Sequence, residues 1–394
     1  MKRWTIQIVA GALGIALVVT AAACGRRAEQ RPAGALTAAT PSSSPPRTTP
    51  PPVAGAWNRL SAAPIAGPYI LASVWTGKEM LTFGRVMSED SGGDVDVAAA
   101  YDPATDTWRA LTAGPDREGS YEGTDRAVWT GSEMLVWGIT DKAFDPATDR
   151  WRRLPDPPLN WGGPAVTVWT GNQMIGWGGG CCDDNVGDGL AYTPATNSWE
   201  KLPSGPLAGR QAASGAWTGT ELVIAGGGAE GKIFSDAAAY NPITHTWRQL
   251  PDMPQPRSGA TSTWDGTEVL FVGGGNGRLS ADGTAYDPAA NRWRQLPAMG
   301  SPREGHVAVW TGNQLLVWGG RSGEGNTAAR PPHGEAYDPA ADSWSPLPVS
   351  PLRGRVGAAG IWTGTAMILW GGIAISPDPS QPLADGAAYT PGTR

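Results

Sequence analysis

The tripeptide Trp-Thr-Gly constrains this chain more than any other feature. It occurs at Trp75, Trp129, Trp169, Trp217, Trp310 and Trp362, with Trp264-Asp265-Gly266 as a seventh variant. Successive tryptophans are 54, 40, 48, 47, 46 and 52 residues apart. Self-similarity at such a period marks an array of supersecondary units, none of which buries its apolar face alone. After each tripeptide comes an apolar run ending in glycine, such as MLVWG, LVIAGGG, VLFVGGG and MILWGG. Next comes an aromatic residue opening an Asp-Pro type of turn, at Tyr101, Phe144, Tyr192, Tyr240, Tyr286, Tyr337 and Tyr389. Seven residues beyond the first six aromatics stand Trp108, Trp151, Trp199, Trp247, Trp293 and Trp344.

Each unit therefore reads as four short strands, a to d. Strand a ends at the first tryptophan, and the glycine two residues on permits the positive φ of a tight hairpin. Strand b is a nearly continuous apolar run, as expected of a strand covered on both faces. Strand c ends at the aromatic, where Asp and Pro favour a turn, and strand d carries the second tryptophan. A lone four-stranded sheet cannot cover both faces, so the units must stack, and radial stacking gives an all-β, seven-bladed β-propeller. The last aromatic, Tyr389, has no tryptophan after it. The missing piece stands at the other end as Trp57-Asn58-Arg59-Leu60. The N-terminal strand is thus expected to complete the seventh blade and close the ring.

The composition agrees: 55 Gly and 36 Pro supply turns, and 20 Trp against 4 Phe reflects one motif used repeatedly. With 30 Lys+Arg against 36 Asp+Glu, the net charge of -6 excludes a bulk electrostatic binder of nucleic acid. Charged residues make up 17%, too few for a coiled coil, and 3 Cys exclude a disulfide-dense scaffold.

The glycine doublet after strand b, the aromatic and Trp separated by six residues, and the period resemble the kelch repeat over residues 57–394. The resemblance implies a propeller and a role in ligand binding or protein interaction, without fixing the partner. It also brings enzymes into view. Copper radical oxidases related to galactose oxidase need two His and two Tyr, one Tyr crosslinked to Cys. This chain has only His245, His306 and His333, and six of its eight Tyr are repeat residues. No metal and no cofactor is therefore expected. A bacterial kelch mutarotase acting on sialic acid is the enzymatic alternative, with Glu122, Glu304 and His306 as candidate acid/base groups.

Residues 1–24 read as a secretory signal. Lys2 and Arg3 precede an uncharged stretch from Trp4 to Ala23, and Cys24 follows three alanines. The arrangement resembles a bacterial lipobox, which implies lipidation of Cys24 and anchoring to the outer side of the cell membrane. An uncleaved membrane helix is the rival, and it too places the rest outside the cytoplasm. Residues 25–56, rich in Pro, Ser, Thr and Ala, read as a disordered tether of polyproline character.

The a–b and c–d turns are short and nearly alike, so one face of the ring is plain. The b–c and d–a loops vary and occupy the other face, the usual place for binding. There, seven residues before the strand-a tryptophan, stand Arg210, Arg257, Arg303 and Arg355 in the last four units. Leaning over the channel, they would form a cationic arc for an anionic small molecule, a glycan or an acidic protein segment. Alternatively they bond loop carbonyls and serve the scaffold. Cys181 and Cys182 are adjacent in the third unit's b–c loop, and either a vicinal disulfide or two free thiols fits. Asp183, Asp184, Asn185 and Asp188 follow; clustered oxygens of this kind either bind calcium or make a solvated loop.

Overall fold

The structure, a computed structural model, describes residues 55–88, 93–114, 126–138, 141–159, 163–180, 185–323, 333–374 and 382–392. Those residues form strands, turns and loops, with no helix among them. Seven four-stranded antiparallel sheets appear. Blade one is Tyr69–Trp75, Met80–Ser88, Gly93–Asp102 and Thr107–Leu111, in the order a-b-c-d. Blades two to six repeat the order from strands a beginning at Arg126, Val166, Ser214, Thr261 and Val307.

Blade seven joins the two ends of the fold. Its strands a to c are Ala359–Trp362, Met367–Trp370 and Gly386–Pro391, and its strand d is Gly55–Arg59. Gly55 pairs with Pro391 and Arg59 with Ala387. The N-terminal strand thus completes the blade as expected, beginning two residues before Trp57. The a strands of neighbouring blades touch all the way round, and the a strand of blade seven touches that of blade one. The ring is closed.

Near the axis the blades converge, and the second residue before each strand-a tryptophan is small: Ser73, Ala127, Thr167, Gly215, Ser262, Ala308 and Gly360. A Cβ on Gly360 would lie 2.0 Å from Val307 Cγ1 of blade six. The core lies between blades. One cluster joins Val166, Ile175 and Trp177 of blade three to Leu222 and Ile224 of blade four. Strands b of blades two to seven are buried at every position, as continuous apolar runs should be.

The repeat residues also link each blade to its neighbour. Every strand-d tryptophan donates its Nε1–H to the carbonyl four residues past the equivalent tryptophan of the preceding blade. Trp108 reaches Ser61, Trp151 Thr112, Trp199 Pro155, Trp247 Pro203, Trp293 Pro251, Trp344 Pro297 and Trp57 Pro348, all within 2.7–3.1 Å. Seven bonds of one kind thus run round the rim and pass through the joint between chain ends.

The plain face is clasped by side chains. In the a–b turns the Thr hydroxyl accepts the backbone N–H three residues on, 2.9 Å from Glu79 and from Glu133. That glutamate is gripped by the arginine after the strand-d tryptophan in Arg109–Glu79, Arg152–Glu133, Arg248–Glu221 and Arg294–Glu268. Arg152, Arg248 and Arg294 also donate to the tyrosine hydroxyl of the next blade, at Tyr192, Tyr286 and Tyr337. Those hydroxyls donate in turn to Asn197, Asn291 and Asp342, which sit at φ of 50°, 48° and 46°.

One expected loop is a strand. The segment RVMSEDSGGDVDV after Gly84 continues strand b to Ser88 and begins strand c at Gly93. Its Val-x-Val alternation is a strand pattern that the acidic residues mask.

Candidate functional site

The four arginines sit where the chain enters strand a, and the fold gives each the same task. All are buried, with relative exposures of 0%, 2%, 0% and 1% for Arg210, Arg257, Arg303 and Arg355. Each donates from Nη1 to the carbonyl sixteen residues on: Gly226 at 3.2 Å, Gly273 at 2.6 Å, Gly319 at 3.2 Å and Gly371 at 2.9 Å. These carbonyls belong to the first glycine of the doublet after strand b, which holds φ of 67° to 71°. Such a backbone favours glycine. The same site also excludes a side chain: a Cβ on Gly226 would lie 2.2 Å from the Arg257 carbonyl of the next blade. The second glycine closes the seam, with the N–H of Gly227, Gly274 and Gly320 donating to the carbonyls of Arg257, Arg303 and Arg355.

Each guanidinium also has a carboxylate of its own blade. Arg210 holds Asp236 through two bonds of 2.5 and 2.9 Å, Arg257 holds Asp282 at 2.6 Å, and Arg303 holds Glu335 at 2.7 Å. Arg355 lies 2.8 Å from Asp385. Phe234 stacks on Arg210, its ring centre 4.0 Å away. Rather than leaning over the channel, the guanidinium groups point into four separate blades, each already neutralised. They are not brought together. The acidic partners escaped sequence reasoning, although a signal existed: Asp236, Asp282 and Asp385 all stand four residues before the strand-c aromatic, in blades that carry the arginine.

Electrostatics follow the burial. Burial pushes the Arg303 guanidinium below its ordinary value, against the pull of Glu335. Burial would raise the Asp282 carboxyl, but bonds from Ser280 and Arg257 outweigh it and hold the group low. His306 is enclosed beside Arg303, and burial followed by that positive charge brings its imidazole down to about 3. Its Nε2 lies 2.8 Å from Thr261 Oγ1. Burial, then Arg303, also lowers His333, with Glu335 opposing.

The other expected residues are scattered. Glu304 pairs with Arg321 on the loop face, and His306 beside it is enclosed and neutral, a poor general acid. His245 lies on the plain-face turn of blade four, half-exposed, 3.8 Å from Glu200. Asp188 pairs with Lys201 at 3.1 Å. Glu122, Cys24, Cys181, Cys182, Asp183 and Asp184 lie outside the described residues. Among the described residues no three of His, Cys, Asp and Glu converge as metal ligands.

Comparison with known proteins agrees with this geometry. Residues 140–320 match the model of the KLHDC2/KLHL20/DRC7 Kelch-repeats domain. Among solved structures, the chain resembles a fungal alcohol oxidase of the AA5 family, in complex with copper, at a TM-score of 0.68. The two are 15% identical over 86% of this chain and 76% of that one, which speaks for the fold alone. No curated protein matches the chain.

Proposed function

We propose that this chain, a kelch-type seven-bladed propeller, is an extracytoplasmic binding module that engages its partner through the variable-loop face. The observation that carries the reading is the contrast between faces. Repeated Arg–Glu–Tyr bonds tie the plain face to itself, and the loops that differ from blade to blade all emerge opposite. Lipidation at Cys24 and the Pro-rich segment after it would hold the module at the membrane surface. Persistence of fatty-acid labelling in Cys24→Ala would remove that part of the reading.

The partner we propose is anionic: a small acid, a glycan or an acidic protein segment. With the four guanidinium groups already paired, such a partner has to displace Asp236, Asp282 or Asp385, which are 31%, 33% and 44% exposed at the side chain. Titration with polyglutamate and with sialic acid tests this in the wild type and in Asp282→Asn, which leaves Arg257 without its carboxylate. Binding that strengthens in the variant and weakens with salt supports an anion. Absence of binding to both proteins would leave the arginines to the scaffold.

A further inference from the structure

On the plain face, the seam between blades three and four inverts an arrangement that other seams share. In blades two, four and five the residue after the strand-d tryptophan is Arg152, Arg248 or Arg294. Each lies opposite an alanine of strand c, at Ala143, Ala239 and Ala285. Its guanidinium bonds a glutamate of its own blade, the tyrosine hydroxyl of the next blade and the side chain five residues past that tyrosine. Arg248 makes these bonds to Glu221, Tyr286 and Asn291 at 2.7, 3.1 and 3.3 Å.

In blade three the same register, opposite Ala191, holds Glu200. The next blade still presents its tyrosine in the same way. Tyr240 packs 4.9 Å from Trp247, as Tyr286 packs 5.0 Å from Trp293. Tyr240 is 1% exposed, and its hydroxyl makes no hydrogen bond among the described residues. Burial, then the charge of Glu200, raises that hydroxyl to about 12. Glu200 is itself 58% exposed at the side chain, and His245 Nδ1 stands 3.8 Å from its carboxylate, too far for a hydrogen bond. Gln173, which replaces the turn glutamate, is bonded within its own blade to Thr193 at 2.9 Å. The acceptors of the shared arrangement are therefore in place, while the chain supplies an acid where it elsewhere supplies the cation. Glutamate is shorter than arginine, so its carboxylate stops short of where an arginine fork would lie. Two residues before His245 the c–d turn presents Ile243, 82% exposed, where other blades have Ala104, Ala147, Ala195, Ala289 and Ala340.

We propose that the plain-face seam between blades three and four takes the arginine side chain of a partner protein, with its guanidinium between the Glu200 carboxylate and the Tyr240 hydroxyl and its flanking residues against Ile243. Arg152, Arg248 and Arg294 show the fit at their own seams. A guanidinium reaches several acceptors at once in a fixed fork, which an ammonium does not. An exposed carboxylate alone holds a cation weakly, so contact with Ile243 makes a protein segment the occupant rather than a free cation. The site lies on the face opposite the variable loops and does not depend on the anionic reading of the arginine arc.

The probes are a short synthetic peptide with arginine between two leucines, the same peptide with citrulline for arginine, and free arginine amide, each titrated against the full-length protein. The arginine peptide binds, and binds less as salt rises. The citrulline peptide binds more weakly by about threefold or more, the scale of an exposed ion pair, and arginine amide is also weaker. Glu200→Arg sets a guanidinium of the chain itself where the peptide's would lie, and abolishes binding without lowering the melting temperature. His245→Asn supplies the acceptor that Asn197 and Asn291 provide elsewhere, and tightens binding. Ile243→Ala weakens binding of the peptide and leaves arginine amide unchanged. Should Glu200→Arg lower the melting temperature, Glu200→Gln, which keeps the size and removes the charge, decides by the same loss of binding. No binding of the arginine peptide, equal binding of the arginine and citrulline peptides, or binding that survives the Glu200 variants overturns the proposal. Arginine amide binding as tightly as the peptide also overturns it, since the occupant would then be a free cation. None of these results touches the titration of Asp282→Asn, so the two readings fail separately.

Discussion

His306 shows how position in the ring sets a residue's chemistry. It stands just before strand a of blade six, where the blades converge, and it is enclosed between Thr261, Arg303 and the glycines of neighbouring strand ends. Folded, it takes a proton only near pH 3; in an unfolded chain an imidazole does so near 6.5. Between those values the unfolded state holds more protons, so stability falls as pH drops and gains nothing further above about 6.5. The difference between wild type and His306→Gln in denaturant unfolding should therefore change with pH by up to about 1.4 kcal/mol per unit in that window. A constant difference would mean that the imidazole charges within the fold. Ala212 is a second case. It holds φ of 49°, where blades five to seven have Gly259, Gly305 and Gly357 at 69°, 61° and 63°. Ala212→Gly should stabilise by up to about 1 kcal/mol, read as a higher denaturant midpoint with an unchanged slope.

At the scale of the strand, the joint between chain ends is the element whose loss should matter most. Trp57 packs 5.1 Å from the Tyr389 ring and 6.4 Å from Trp318, and Gly55–Arg59 pairs along Ala387–Pro391. Deleting residues 25–54 should leave the melting temperature unchanged, and extending the deletion through Leu60 should cost several kcal/mol, because blade seven loses a strand and exposes an edge. Equal melting temperatures would remove the closing role. That this strand belonged to blade seven was legible because the missing Trp after Tyr389 and the surplus Trp57 match. The role of the arginines was not. Arg and the glycine carbonyl keep a constant separation of 16 residues, but the carboxylate follows at 26, 25, 32 and 30. The b–c loop of variable length lies between them. An arginine before strand a looks the same whether its acid comes from its own blade or from a ligand.

For the whole molecule, the interlocking of blade seven should govern how the ring opens more than how stable it is. The other seams are crossed by one covalent connection each, with side-chain bonds such as Trp151 to Thr112 and Trp199 to Pro155 beside it. Between blades seven and one the connection is residues 60–68, with Trp108 reaching Ser61. A circular permutant isolates the effect: the present ends are joined by a flexible linker, and new ends are cut between Ser61 and Gly67. Every strand, every register and all seven tryptophan bonds are retained. What disappears is the covalent link across one seam, while blade seven becomes a single stretch of chain. Opening that seam then requires Ser61 to part from Trp108 and Asp106 and the blade faces to separate, with no strand pairing broken. The permutant should keep the fold and most of the equilibrium stability, and unfold faster, since the lost restraint acts on the closed ring and little on an open transition state. Denaturant-jump unfolding measures this directly. Equal rates for permutant and parent would mean that the ring opens at some other seam, and the joint between blades three and four, where Glu200 replaces the clasping arginine, would be the next to cut.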